Sequence, residues 1–402
     1  MEQTVLNEIV AGGYFKGLAD REVYQCALSL LVACFLSIIS IPIIINLSNL
    51  LNLTAKPGFR SSHDTDTPTL GGIALFAATL IAFFLWPHSQ EATDSNLTSL
   101  SMVGLTILFF LGLKDDILAL DSAKKLIIQI IATLTLVVMG DFKVDYLYGI
   151  FGWYYISDIW SIPLTLFIFI SLINAINLID GIDGLAGGIS LIACMWFGFW
   201  FLLNQHFTFA CLAFSLSGAL LGFLRFNFSK TSKIFMGDTG SLIAGFLLSF
   251  FTIEFLRLNV SFRNDPNAFF NAPIIVMIVL IVPIFDTLRV FIVRILNGKS
   301  PFVADRNHVH HILLDNGFSH LGVSLILWSV TIINTSLFFA FHGGVSNTTS
   351  LTIYVCMFVL YLIAAYFLKK RANFVKKRKG LRKEAALSHD SQSWTKKFLE
   401  DL

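Results

Sequence analysis

Residues 172–190, LINAINLIDGIDGLAGGIS, carry a polar side chain at every third position of a segment that is otherwise apolar enough to enter a membrane. These side chains are Asn174, Asn177, Asp180 and Asp183. An ionised Asp at the centre of a bilayer costs about 3 kcal/mol, and two that face the same way cost more unless something binds them. Residues three apart on a helix are neighbours, so the pattern predicts a polar strip that binds a ligand near a helix end.

The rest of the chain has the composition of an integral membrane protein. Of 402 residues, 55% are hydrophobic and only 13% are charged, about half the charged share of a soluble domain. Five cysteines lack the paired spacing of a zinc ribbon or a disulfide framework. We expect an all-α polytopic protein with about eleven spans. They are residues 25–47, 70–86, 99–113, 124–140, 161–178, 185–203, 207–224, 239–256, 272–296, 320–341 and 350–368.

The distribution of basic residues predicts how the chain crosses the membrane. We divide it into an extracytoplasmic segment (1–24), a multi-span domain (25–369) and a basic tail (370–402). Grouping the tail with every second loop places 23 of the 28 Lys and Arg residues on one side. The positive-inside rule makes that side cytosolic and puts the amino terminus outside. The tail itself is expected to be solvated or bound to lipid headgroups rather than to a specific partner.

With this topology, five polar clusters lie on the cytosolic side. They are KPGFRSSHDTDTPTLGG (56–72), GLKDDILALDSAKK (112–125), NLIDGIDG (177–184), KIFMGDTGS (233–241) and RILNGKSPFVADRNHVHHILLDNGF (294–318). The outer loops contain nothing comparable. Convergence of the five clusters on one face indicates a site built from loops and helix ends.

Two of the clusters contain carboxylates suited to a cation. Adjacent Asp115 and Asp116 repel each other, and such pairs are tolerated where a divalent cation or a proton-transfer role compensates. Asp121 either joins this pair or caps the following helix. Asp238 lies between two glycines at a helix start, where backbone N–H groups suit a phosphate; it could hold a metal or simply cap the helix.

Three histidines within four residues form the last cluster. His308, His310 and His311 follow Asp305 and Arg306. Histidine clusters most often indicate zinc or copper, but here no Cys accompanies them and the surrounding charges are basic. Phosphate binding is therefore the favoured interpretation.

Together and in this order, the motifs resemble those of the polyprenyl-phosphate N-acetylhexosamine-1-phosphate transferases, the glycosyltransferase 4 family of the WecA-type and MraY-type enzymes. The resemblance rests on RSSH with TPTLGG, GLKDD, NLIDGIDGLAGG, FMGDTGS and GKSPFVADRNHVHH, and it covers roughly residues 25–370. Five ordered motifs are far more specific than any one of them.

The resemblance implies a role for each matching residue. Asp115 and Asp116 match the family's paired aspartates at the lipid phosphate, and Phe235 matches an aromatic ring that stacks on uracil. The HVHH form is similar to that of members that use N-acetylglucosamine. The implied roles are catalytic for Asp115, Asp116 and Asp180, metal binding for Asp238 and Asn177, and substrate binding for Lys125, Asn177, Asp183, Phe235, Arg294, His308, His310 and His311.

Three positions depart from the family's pattern. Lys56 stands where many members have Asp, Ser61 where Lys or Arg is common, and Asp121 falls two residues late for the family's DDxxD. The loop at residues 56–66 is therefore given no specific contact.

The reaction implied by the resemblance joins UDP-GlcNAc to undecaprenyl phosphate, with Mg²⁺, or Mn²⁺ in its place, as cofactor. Its setting is the bacterial plasma membrane, its products are undecaprenyl-diphospho-GlcNAc and UMP, and a homodimer is usual. No nucleic acid partner is expected. Another UDP-N-acetylhexosamine or UDP-MurNAc-pentapeptide is the alternative substrate, and UDP-GlcNAc is favoured because the loop at residues 299–311 is too short to cradle a pentapeptide.

Two other classes of membrane protein remain as rivals. An ion-coupled transporter would place charges near the bilayer midplane and contain internal repeats, neither of which the sequence indicates. A CDP-alcohol phosphotransferase would place its metal carboxylates in a single stretch and would not need the histidines.

Overall fold

The computed structural model describes residues 20–51, 53–55, 67–86, 92–261, 269–300, 307–341 and 345–400, with backbone alone beyond residue 375. The predicted segment 1–24 and loop 56–66 therefore lie largely or wholly outside the described residues. The helices are α1 (Asp20–Leu50), α2 (Gly71–Phe84), α3 (Ala92–Leu118), α4 (Ser122–Met139), α5 (Asp158–Ile179), α6 (Leu185–Leu203), α7 (Phe207–Asn227), α8 (Gly237–Ser261), α9 (Ala272–Val279), α10 (Ile281–Leu296), α11 (Val309–Asp315), α12 (His320–Phe341) and α13 (Asn347–Glu400). Two antiparallel ladders pair β1 (Thr54–Ala55) with β2 (Thr67–Pro68), and β3 (Tyr146–Ile150) with β4 (Trp153–Tyr155).

The helices have the length and apolarity of membrane spans. Within the described part of the chain, nine helices are long and apolar enough to cross a bilayer, and the pair α9 and α10 raises the number to ten if it counts as one bent span. The predicted span at residues 70–86 is the 14-residue helix α2. The prediction of an all-α polytopic membrane protein is confirmed.

The segment 272–296, which the sequence predicts as a single span, is broken by a bend. It consists of α9 and α10, which meet at Leu280 with a bend of 80°. Pro283 lies in the first turn of α10 and has no N–H to donate to the carbonyl of Val279, so the helical ladder is interrupted there. Beyond the bend, α10 contacts the histidine cluster through Asp286 and His308.

The centre of the bundle is formed by α7 and α8, the two most deeply buried spans. Glycines let neighbouring helices approach the start of α8. A Cβ on Gly72 or Gly112 would overlap the backbone of Thr239, so α2 and α3 both pack directly against that helix end. This close packing fixes the position of Asp238.

The remaining elements lie towards the edges. The β3–β4 hairpin forms part of the loop between α4 and α5, which the sequence predicts to be an outer loop, and exposes aromatic rings, including Trp153 and Tyr155. Helix α13 extends from Asn347 to Glu400, so the predicted boundary between residues 369 and 370 falls inside a helix. The division of the chain into three parts remains a prediction.

Candidate active site

Lys125, in the first turn of α4, joins two carboxylates that are distant in sequence. Its Nζ pairs with Asp115 near the end of α3 and lies 2.8 Å from Oδ1 of Asp238 at the start of α8. The side chain of Asp115 is 5% exposed and that of Asp238 is 32% exposed, so Asp238 is the more open to a ligand. The GLKDD and FMGD motifs therefore meet at one place, as the sequence predicted.

Asp116 and Asp121 both stabilise helix starts. Oδ1 of Asp116 accepts the backbone N–H of Asp238 at 2.7 Å, and Oδ2 accepts the backbone N–H and the hydroxyl of Thr239 at 3.0 and 2.6 Å. The two oxygens thus satisfy donors at the amino end of α8. Asp121 caps α4 by accepting the Ala123 N–H at 3.2 Å, so it does not join the paired aspartates.

The strip on α5 divides between the site and the helix bundle. Asn177 donates its amide to Oδ1 of Asp238 at 2.6 Å and to the Ser241 hydroxyl at 2.8 Å. Asn174, one turn earlier, donates instead to Gln129 on α4 at 2.8 Å. Asn177 belongs to the site, whereas Asn174 links α5 to α4.

Asp180 ends α5 and is the carboxylate with the fewest local partners. Within the described residues, no hydrogen bond reaches its side chain. Burial, together with the negative charges of Asp238, Asp116 and Asp183, raises the pKa of Asp180 to about 8. The site therefore favours a bound cation or proton at this position.

Asp183 has two basic partners. Its Oδ2 lies 2.7 Å from Nζ of Lys233 and 3.2 Å from Nδ1 of His320. Burial opposes ionisation of Asp183, but the hydrogen bonds from His320 and Lys233 prevail and lower its pKa. The same Lys233 ammonium lies 5.3 Å from the centre of the Phe235 ring. Charge and an aromatic face thus occur side by side.

The two loops that carry these residues are clamped together by Asn227, at the end of α7. Its Oδ1 accepts the Gly184 N–H at 2.5 Å and its amide donates to the Ile234 carbonyl at 2.8 Å. Phe235 is tied to the opposite side, since its N–H donates to the Pro68 carbonyl at 2.8 Å and its carbonyl accepts the Gly71 N–H at 3.0 Å. Part of the TPTLGG motif thereby supports the site.

The histidine cluster packs against residues 179–183, the IDGID loop. A Cβ on Gly181 would lie 2.5 Å from Nε2 of His310, so only glycine leaves room for that ring. His311 lies next to it, with ring centres 4.3 Å apart, and His308 forms a 2.8 Å contact with the buried Asp286. Arg294 is buried near the end of α10. Asp305 and Arg306 lie outside the described residues.

The donor set fits magnesium. Asp115, Asp116, Asp180 and Asp238 bring four carboxylates together, and Lys125 supplies one cation among them. Among the described residues, no three His, Cys, Asp or Glu side chains converge tightly enough to hold a metal by themselves. Mg²⁺ is commonly bound by one or two carboxylates together with substrate phosphates. Asp238 and Asp180, with the amide oxygen of Asn177, are the oxygen donors suited to that arrangement.

Four residues of this site are not predicted as site residues by the sequence. Asp286 stood alone in an apolar run, Lys233 began the KIFMGDTGS cluster but was given no role, His320 followed the last cluster, and Asn227 belonged to no motif. Each has a main partner far away in the sequence, 22 residues for Asp286–His308, 43 for Asn227–Gly184 and 50 for Lys233–Asp183, and the separation is larger still for His320–Asp183. The only available signal was a polar residue within or beside a span.

Comparison with known proteins gives consistent matches. A family model described as glycosyl transferase family 4 matches residues 98–256. The decaprenyl-phosphate N-acetylglucosaminephosphotransferase of Mycobacterium leprae is 34% identical over 331 residues, which cover 78% of this chain and 83% of the relative. A probable undecaprenyl-phosphate N-acetylglucosaminyl 1-phosphate transferase of Bacillus subtilis is 30% identical, over 87% of this chain and 92% of the relative. The undecaprenyl-phosphate alpha-N-acetylglucosaminyl 1-phosphate transferase of Salmonella typhi is 28% identical, over 82% and 88%.

Proposed function

Because the chain belongs to glycosyl transferase family 4, among the polyprenyl-phosphate N-acetylglucosamine-1-phosphate transferases, we propose that it transfers N-acetylglucosamine-1-phosphate from UDP-GlcNAc to undecaprenyl phosphate. The products are undecaprenyl-diphospho-GlcNAc and UMP. This would be the first step of a cell-surface polysaccharide, carried out at the cytosolic face of a bacterial plasma membrane.

The observation that carries the proposal is the meeting of carboxylates and basic groups at the ends of apolar helices. Asp115 and Asp238 share Lys125, and the IDGID loop brings the histidines to the same place. A lipid phosphate and a nucleotide diphosphate are both anions, so a site that joins them needs cations. Bound Mg²⁺ would supply most of this charge neutralisation, held by Asp238, Asp180 and Asn177.

The protein's own groups then have separate tasks. A phosphomonoester has a second pKa near 6, so at neutral pH most of the lipid phosphate is already a dianion and needs no strong base. We assign removal of the remaining proton to one of the paired carboxylates, Asp115 or Asp116; Asp115 also holds Lys125 and the Leu120 N–H, and Asp116 holds the start of α8. Lys125 is placed to contact the phosphate.

The nucleotide would occupy the other half of the site. Phe235 offers a ring to the uracil, with Asp183 and Lys233 beside it. Arg294 and the histidines would stabilise the negative charge that develops on the leaving UMP. Because His310 packs on Gly181, these histidines border the carboxylates.

The test is transfer from a panel of radiolabelled UDP-sugars to undecaprenyl phosphate by the purified protein. We expect UDP-GlcNAc to react at least about tenfold faster than UDP-MurNAc-pentapeptide, equivalent to about 1.4 kcal/mol of transition-state binding. His308→Ala should slow the reaction by removing a hydrogen-bonding ring. Preference for another UDP-N-acetylhexosamine would overturn only the sugar, whereas absence of lipid-linked product with every UDP-sugar would overturn the proposed reaction.

A further inference from the structure

Asp286 is a fully buried carboxylate that the proposed reaction does not use directly. It lies in the second turn of α10, just beyond the 80° bend, and its exposure is 0%. A buried carboxylate in a membrane protein is expensive unless it is paired and hydrogen-bonded, so its presence calls for a specific partner.

The principal partner of Asp286 is His308. Oδ2 lies 2.8 Å from Nδ1 of the His308 ring, and Oδ1 accepts the backbone N–H of Val309 at 2.8 Å. Oδ1 also accepts the hydroxyl of Tyr361, from α13, at 3.3 Å. One carboxylate thus holds both the ring of His308 and the first turn of α11, while Tyr361 braces the carboxylate from the other side.

The residue before His308 is held by the same helix. The carbonyl of Asn307 accepts a hydrogen bond from Arg289 of α10, and its side-chain oxygen accepts one from Lys369 of α13 at 2.5 Å. Arg289 lies one turn after Asp286. The backbone is therefore fixed on both sides of His308, and the ring has little freedom to turn.

This contact determines the tautomer of His308. An ionised carboxylate only accepts hydrogen bonds, so Nδ1 of His308 carries the proton that it donates to Asp286. Nε2 is then the nitrogen left for the substrate, as an acceptor when the ring is neutral and as a donor when it is protonated. A carboxylate behind an imidazole also stabilises the imidazolium, as in catalytic triads.

We propose that Asp286 is a positioning residue that fixes the tautomer and orientation of His308, so that Nε2 meets the diphosphate of the sugar nucleotide. This inference rests on the proposed transferase function. Asp286 acts through His308 and does not touch the substrate. The bend at Leu280 contributes to this arrangement, because the turn that follows it carries Asp286, which contacts His308 and the start of α11.

The decisive experiment is a double-mutant cycle in the full-length protein with UDP-GlcNAc and undecaprenyl phosphate. Asp286→Asn should lower kcat at least about 30-fold and change the KM for UDP-GlcNAc less than about threefold. The reason is that the wrong tautomer of His308 weakens binding of the transition state more than binding of the substrate. In a His308→Ala background the same change should have almost no further effect. Equal losses in both backgrounds, or retention of more than a third of kcat by Asp286→Asn, would overturn the inference.

Two tyrosines on α13 provide a matched control. Tyr361→Phe removes one of the hydrogen bonds to Asp286 and should lower kcat about two- to fivefold. Tyr354→Phe removes a comparable buried bond, to the Met277 carbonyl at 3.1 Å, and should leave kcat unchanged. Equal effects of the two variants would point to general loosening of α13 and would count against the inference.

The pH–rate profile gives a further readout, which a purely structural role would not move. Among the residues that the structure describes, the charged or titratable groups around the pair are Arg289 on α10, His310 on α11, His320 on α12, and Tyr361 and Lys369 on α13. All of them remain in Asp286→Asn, so a shift of the alkaline limb to lower pH reports the loss of support for the imidazolium, the form of His308 whose Nε2 donates to the diphosphate. An unshifted limb would contradict the inference.

Two outcomes remain to be separated. If Asp286→Asn fails to fold, the cycle is run with Asp286→Glu, which keeps the charge and displaces the oxygens; additivity with His308→Ala would again overturn the inference. A wild-type protein without transfer activity would refute the proposed function. An active wild type with an additive cycle would refute only the positioning role.

Discussion

Oδ1 of Asp116 accepts the backbone N–H of Asp238 at 2.7 Å, so one aspartate of the site holds the helix end that carries another. Thr239 adds two hydrogen bonds to the other oxygen of Asp116. The adjacent residues Asp115 and Asp116 therefore make different contacts. Asp115 pairs with Lys125, whereas Asp116 organises the start of α8.

Asp116→Asn should therefore destabilise the protein as well as inactivate it. An amide keeps one acceptor oxygen and places an NH₂ group against donors, at a cost of about 1–3 kcal/mol. The measurement is the apparent unfolding temperature in detergent, followed by intrinsic tryptophan fluorescence. A variant that unfolds at the wild-type temperature would show that the cap contributes nothing to stability.

Asp238→Asn should have the opposite profile, with folding retained and transfer lost. Lys125 still has Asp115 as a partner in this variant, so its ammonium is not left without a carboxylate. Removal of divalent cations with a chelator should abolish wild-type activity, and added Mg²⁺ should restore it. If Asp238→Asn keeps more than about a tenth of the Mg²⁺-dependent rate, a difference of about 1.4 kcal/mol, Asp238 is not a metal ligand.

Acid should destabilise the protein through His310. Burial lowers the pKa of His310 from 6.5 to about 3, and the nearby His311 and His308 act in the same direction. Between these values the unfolded chain binds a proton that the folded protein does not, so stability falls as pH falls below 6.5, by at most about 1.4 kcal/mol per pH unit. The unfolding temperature should fall between pH 7 and pH 5, and less so in His310→Gln. His206→Gln, at the start of α7, is the control; equal slopes in wild type and His310→Gln would contradict the assignment.

The orientation in the membrane can be tested with two exposed sites separated by three spans. Asp145 lies in the outer loop that contains the β3–β4 hairpin, and Thr231 lies in the loop between α7 and α8. In a Cys356→Ser background, Asp145→Cys should react with an impermeant thiol reagent added to intact cells, and Thr231→Cys should react only after the membrane is opened. Labelling of both from the same side would refute the proposed topology.

The sequence predicts the helices of this fold well because each span is a long apolar run. It does not predict the break at Leu280, since the run from Ala272 to Phe285 is continuously apolar and only Pro283 interrupts the hydrogen-bonding pattern. The 80° angle follows from packing between distant helices. The shortness of α2 likewise depends on what its buried glycines contact.

The sequence predicts most residues of the candidate site but not the contacts between them. The motifs that carry Asp115 and Asp238 meet through Lys125, because each motif lies at a helix end on the same predicted face. Asp116 looks equivalent to Asp115 in sequence, and only its contacts with α8 separate their tasks. Asp286 is a single polar residue in a span, and its partner becomes evident only in three dimensions.

The bend between α9 and α10 also makes turnover sensitive to the thickness of the lipid bilayer. Because the two helices meet at 80°, they cannot both follow the membrane normal, and the amphipathic α10 is the one suited to lie near the plane of the bilayer. It exposes Ile295 and Leu296 and buries Asp286, Arg289 and Arg294 on its other side. The depth of such a helix follows the level of the headgroups, which depends on acyl-chain length. Because His308 is anchored to this helix while Asp238 belongs to the central bundle, a change of bilayer thickness should move one against the other, and turnover should pass through an optimum as chain length is varied.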